Sequence, residues 1–152
     1  MSLSIISYED IHQPVFKTLN LAWLEHYSLA ESHDLDILND PRGTILDGGG
    51  YIWLAKWDDA IVGSVALIRE KEGEYELVKM GVKAEFHGRG IGKILMEHCL
   101  DKARELSANK IFLFSNHQLT TALKMYESFG FMHVPVIDSP FTTADVRMEL
   151  VL

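Results

Sequence analysis

The sequence predicts an α/β domain, an α+β layering of helices on a mixed sheet, and three observations predict it. The hydrophobic period switches repeatedly between two and about 3.6, in the order strand, two helices, three strands, helix, strand, helix, two strands. The run Gly88-Arg89-Gly90-Ile91-Gly92 falls where a strand pattern gives way to a helix pattern. The chain has 152 residues and is 47% hydrophobic, enough to bury a real core, and it reads as one domain over 1–152. No repeat, low-complexity tract or linker interrupts it.

Leu3 to Tyr8 is a short apolar run and makes the first strand. Asp10 is placed to cap a helix whose apolar positions are Ile11, Val15, Leu19, Ala22 and Trp23, ending near Ser28. A short helix follows from Ser32 to Asn39 and stops before Pro41, because a residue preceding proline disfavours the helical region. Asp47-Gly48-Gly49-Gly50 is a turn or a mobile loop. Tyr51 to Trp57 and Ile61 to Arg69 flank Asp58-Asp59-Ala60 as a hairpin, and Tyr75 to Val82 continues the sheet. After the glycines, Ile91, Leu95, Cys99, Ala103 and Leu106 recur three or four apart, the buried face of a long helix. Ile111 to Phe114 is a strand, Leu119 to Phe129 a helix closed by Gly130, and Phe131 to Val136 with Val146 to Val151 finish the sheet. Expected at the surface are His98 and His117, while Cys99 is an inert core thiol.

Charge narrows the function. The net charge is −8 and the basic residues are scattered, against the clustered Lys and Arg that nucleic-acid binding requires. No apolar run approaches the roughly 18 residues of a membrane span, the first residues lack a signal-peptide pattern, and one cysteine permits no internal disulfide. The expectation is a cytoplasmic protein with neither nucleic acid nor membrane as partner. No H-E-x-x-H or C-x-x-C occurs, so no metal is expected.

The strand–glycines–helix segment carries the chemistry. Glycines let an anion approach the backbone closely, and the helix start adds unpaired N–H groups and the positive dipole end. Together they form a nest for phosphate, with Arg89 and Lys93 as charged candidates at its rim. A P-loop does not fit: aligning Gly92-Lys93 puts His87 at the first glycine and Ile94 at the hydroxyl position. A dinucleotide fingerprint does not fit either, since Lys93 stands at its third glycine and the next strand ends Phe114-Ser115-Asn116 without an acid.

The remaining pattern, Gln/Arg-x-x-Gly-x-Gly/Ala, is met by His87-Gly88-Arg89-Gly90-Ile91-Gly92 behind a strand ending Leu77-Val78-Lys79-Met80-Gly81-Val82. With Asn116 and the segment Ala122-Leu123-Lys124-Met125-Tyr126-Glu127-Ser128-Phe129-Gly130-Phe131, in the same order and spacing, the chain resembles the GCN5-related N-acetyltransferase (GNAT) family over residues 50 to 150 roughly. His87 stands where the family usually has Gln or Arg.

The resemblance implies a mixed, mostly antiparallel sheet of about seven strands flanked by four helices, with two splayed central parallel strands. It implies acetyl-CoA as cosubstrate. Its pyrophosphate would lie at His87, Gly88, Arg89, Gly90, Ile91, Gly92 and Lys93, its pantetheine along Met80, Gly81 and Val82, with further contacts from Asn116 and Tyr126. The acceptor would be a primary amine of a small molecule or peptide, attacking directly. An alkyl ammonium is only about 0.04% free amine at pH 7, so a base is required. Glu76, beside the reaction centre, is the candidate, although strand alternation leaves its direction open. Tyr126 is the family's usual proton donor to the leaving thiolate; its helical spacing equally suits core packing. Asn116 suits a helix cap as well as a cofactor contact. Glu25, Glu31, Asp34 and Asp36 could line an acidic acceptor pocket or a solvated helix face. The late strand pair offers a homodimer edge, and a non-catalytic acyl-CoA sensor with the same fold is the alternative function.

Overall fold

The computed structural model describes residues 2–152. Seven strands form one sheet in the order β1-β2-β3-β4-β5-β7-β6. They are β1 (Leu3–Ser7), β2 (Tyr51–Trp57), β3 (Ala60–Lys71), β4 (Glu74–Val82), β5 (Lys110–Ser115), β6 (Met132–Val134) and β7 (Val146–Val151). Every neighbouring pair is antiparallel except β4–β5, which is parallel. The α-helices are α1 (Gln13–His26), α2 (Ser32–Asn39), α3 (Ile91–Glu105) and α4 (Thr120–Ser128).

Strand alternation divides the core between the two faces of the sheet. On one face α3 and α4 pack Leu95, Met96 and Tyr126 onto Leu77, Ile111 and Leu113. On the other, α1 and α2 pack Phe16, Leu24 and Leu38 onto Leu54, Ala66 and Val78. Gly130, at φ +98°, reverses the chain after α4, and the Phe131 N–H donates to the Tyr126 carbonyl at 3.1 Å, satisfying a helix-end acceptor that would otherwise be orphaned.

Three local expectations are corrected. Glu9, not Asp10, precedes the first helical turn, a 3₁₀ turn over Asp10–His12 that shifts the phase of α1. Its buried face is therefore Phe16, Leu19, Asn20 and Leu24, and Ile11 is 82% exposed. The strand sought over 131–136 is only Met132–Val134, because Pro135 has no N–H to extend the ladder. Ala60 belongs to β3, not to the turn, which is Asp58-Asp59.

Two features of β4 position the site. β4 and β5 pair only through Glu74–Lys110, Tyr75–Ile111 and Glu76–Phe112, so from Leu77 onward the two strands part into a fork. Beside the fork β4 carries a bulge: Ser64 and Ala66 of β3 face Gly81 and Val78, so that two residues of β4, Lys79 and Met80, stand against one of β3, Val65. Lys79 sits in it at φ +53°. An extra residue re-phases a strand by half its period. Tyr75 and Leu77 face α3 before the bulge, and Met80 and Val82 pack on that side after it. Lys79 and Gly81 are left facing α1 and α2. A Cβ at Gly81 would lie 2.5 Å from Trp23 Nε1, so the close approach of α1 requires glycine there.

Candidate active site

At the start of α3, Gly88 and Gly90 adopt φ +79° and +76°, with open space where a Cβ would be. Glycine is needed here for conformation, not for room. The helix ladder begins with Ile94 N–H to the Gly90 carbonyl at 3.1 Å, and among the described residues the N–H groups of Gly90, Ile91, Gly92 and Lys93 have no acceptor. A first turn in this condition can receive an anion, with the helix dipole adding to the attraction. Gly92 looks onto Met125, Met80 and Val82 within about 4 Å of its Cβ position, which joins this turn to the fork.

A cavity of about 690 Å³ runs from that turn into the fork. Its lining includes Met80, Gly81, Val82, His87, Gly88, Gly90, Ile91, Gly92, Lys93, Asn116, Tyr126 and Glu76, so the candidate residues converge, with one exception. Arg89 is not on the wall; its guanidinium stacks 5.0 Å from the Trp57 ring and 4.8 Å from the Phe86 ring, leaving only its backbone at the turn. His87 Nε2 is 2.8 Å from the Val82 carbonyl, so the imidazole ties the connection back onto β4.

Tyr126 and Glu76 approach the fork from opposite faces of the sheet. Tyr126 is buried with α3, its ring 5.9 Å from Phe131. Its hydroxyl makes no hydrogen bond among the described residues and is open to the cavity, and burial pushes its pKa well above the usual value for a phenol. Glu76 is 8% exposed and has no hydrogen bond or ion pair among the described residues. Burial foremost, then the charge of Glu70, raises its pKa to about 7, against the opposing pull of Lys79 and Arg147. Asn116 is occupied structurally: its side-chain oxygen accepts from the Gln118 N–H at 3.0 Å, and its amide donates to the Thr143 carbonyl at 2.8 Å.

Sequence reasoning missed three supports. Lys79 and Asp34 form a buried ion pair across the cavity; a lone charge in the apolar run Leu77-Val78-Lys79-Met80 was the available signal. The bulge carbonyl of Lys79 accepts from the Ser64 hydroxyl at 2.7 Å, Ser64 accepts from the Asn20 amide at 3.0 Å, and Asn20 accepts from Trp23 Nε1 at 3.0 Å. This chain satisfies a carbonyl the bulge removes from the ladder. Finally, Glu31 is no pocket acid: its two oxygens accept from the backbone N–H and hydroxyl groups of Thr142 and Thr143. Although burial opposes it, those bonds hold its pKa down at about 2. Glu25 is exposed on α1 and outside the cavity lining.

Among the described residues no group of three metal-ligating side chains converges, and no helix is long and apolar enough to cross a membrane.

Residues 14–131 match the acetyltransferase (GNAT) family, and the chain belongs to it. It is 34% identical over 91 residues to the N-acetylaspartate synthetase of Rattus norvegicus, a match that covers 59% of this chain and 30% of the synthetase. It thus spans under a third of that relative's length. To the N-acetyltransferase YvbK of Bacillus subtilis it is 29% identical over 114 residues, 73% of either chain. In fold it is similar to a GNAT-family acetyltransferase of Staphylococcus aureus (TM-score 0.91, 22% identity, 99% of both chains). It is also similar to the PaiA N-acetyltransferase of Thermoplasma acidophilum, solved in complex with coenzyme A (TM-score 0.78, 16% identity, 100% of both chains).

Proposed function

We propose that the protein, acting as one domain over 1–152, transfers an acetyl group from acetyl-CoA to a primary amine of a small molecule or peptide by direct attack. The observation that carries this reading is the continuity of one cavity from the unbonded N–H groups of α3 to a fork bordered by a buried carboxyl and a buried phenol.

Acetyl-CoA, when bound, supplies an activated thioester. The N–H groups of Gly90 to Lys93 hold its pyrophosphate, with the Lys93 ammonium at the rim. The edge of β4 that lacks a β5 partner, at Met80 to Val82, offers backbone groups to an extended chain in the manner of an added strand. A backbone N–H in that stretch stabilises the developing oxyanion. Glu76 takes the proton of the acceptor ammonium; a pKa of about 7 suits a base working near neutral pH. Tyr126, which stays protonated, supplies a proton to the departing sulfur. Asn116 acts by fixing the loop that borders the cavity. The free edge of β6, with Met132 71% exposed, offers a pairing surface for a second copy.

Coenzyme A should raise the melting temperature while ATP and NAD do not, and incubation of acetyl-CoA with a panel of primary amines should release free thiol. Stabilisation without turnover on any amine would leave an acyl-CoA-binding module and refute the enzymatic reading.

A further inference from the structure

A second groove, of about 710 Å³, opens on the α1/α2 side of the sheet. A bridge made of α2 and the loop over 135–145 separates it from the first cavity. The bridge is fastened by Glu31 to Thr142 and Thr143, and by the His33 ring packed edge-on to Phe141 at 4.8 Å. Asp34 and Phe141 line the cavity; Asp36 and Asp138 line the groove; Glu76 lines both. The buried carboxyl is therefore reachable from the side opposite the α3 turn, underneath the bridge.

The groove is acidic in a specific way. Its carboxylates are Asp36, Glu70, Glu74, Glu76 and Asp138, and its cations are Lys71, Lys110 and Arg147. The cations are already engaged. Glu74 takes Lys71 at 3.0 Å and Lys110 at 3.2 Å, and Arg147 pairs with Glu149 at 3.1 Å. Asp36, Glu70 and Asp138 make no ion pair among the described residues. Glu70 follows Ile68, the cross-strand partner of Glu76, by two residues, about 7 Å along the strand. A cation between Glu70 and Glu76 would relieve their repulsion in a site with low-dielectric walls.

We propose that the groove is the acceptor's way in and that it selects a linear amine with a second positive charge. The reacting nitrogen lies at Glu76 and the distal ammonium among Glu70, Asp36 and Asp138. This rests on the acetyl-transfer reading and names its substrate class.

The probe pair is 1,4-diaminobutane and butylamine, equal in chain length and different in one charge. At low salt the wild-type protein should use the diamine with at least tenfold higher kcat/KM. The Asp36→Asn, Asp138→Asn double variant, which leaves Glu70 beside Glu76, should lose at least fivefold more on the diamine than on butylamine, with coenzyme A affinity unchanged. Equal use of the two amines, or a double variant that treats both alike, overturns the proposal. So does a preference for a lysine-containing peptide over the diamine. Calorimetric titration of the diamine into protein saturated with coenzyme A reads the groove without turnover. Binding weakened in the double variant supports it, and no binding overturns it even if another amine is acetylated. Failure of coenzyme A to bind would sink the acetyl-transfer reading instead, and the same titration into free protein would still test the groove.

Discussion

Replacing Glu76 with glutamine should change the pH dependence of stability by an amount the structure sets. The carboxyl has an ordinary value of 4.5 and a folded value of about 7, raised chiefly by burial. The folded state therefore keeps a proton that the unfolded chain releases between those values. This stabilisation is fully present below about 4.5 and is lost as pH rises through about 7. Between pH 5 and pH 8 the loss amounts to about 2.5 kcal/mol. The Glu76→Gln variant has no such proton to lose. Its stability relative to wild type should therefore climb by about 2 to 3 kcal/mol between pH 5 and pH 8, on top of a constant offset from the amide. Urea unfolding at pH 5, 6, 7 and 8, followed by tryptophan fluorescence, measures this for both proteins. Parallel pH profiles would refute the claim that the fork desolvates this carboxyl. A gap widening toward acid would mean that a cation pairs with it.

Tyr126→Phe should lower kcat by tenfold or more, the usual range for loss of a general acid, with coenzyme A affinity kept. An unchanged kcat removes the phenol from the reaction. Lys79→Met leaves Asp34 buried without its partner and should cost about 3–5 kcal/mol in chemical denaturation; a cost below about 1 kcal/mol would mean that water replaces the ammonium. Gly90→Val forces a β-branched residue to φ +76°, a strain of about 1–3 kcal/mol. It should weaken coenzyme A at least fivefold by calorimetry, because the N–H groups it displaces are those proposed to hold the pyrophosphate.

The sheet, its helices and the α3 turn were legible because they are written in local code. The period of the apolar residues marked α3 from Ile91 and α2 from Ser32 to Asn39, the latter with the bounds the structure has. The glycines of the turn announced themselves by spacing. What could not be read depends on pairing across distance. The bulge at Lys79 exists because β4 holds one residue more than β3 over the same ladder, and neither strand alone contains that count. The direction of Glu76 follows from β4 register. The role of Glu31 was hidden because its partners, Thr142 and Thr143, lie more than a hundred positions away. Arg89 looked like a phosphate ligand by its position in the motif, and the aromatic pair that claims it, Trp57 and Phe86, becomes adjacent only once the sheet is assembled.

The bulge also makes the fork between β4 and β5 an all-or-none construction. Side chains along a strand alternate between faces, so excising one residue at Lys79 would not narrow the gap slightly; it would swap which layer Met80, Gly81 and Val82 address. A change here comes in whole residues, because no shift smaller than one residue exchanges the two faces. The loops at the rim carry no such constraint, because their length does not set which layer a strand's side chains address.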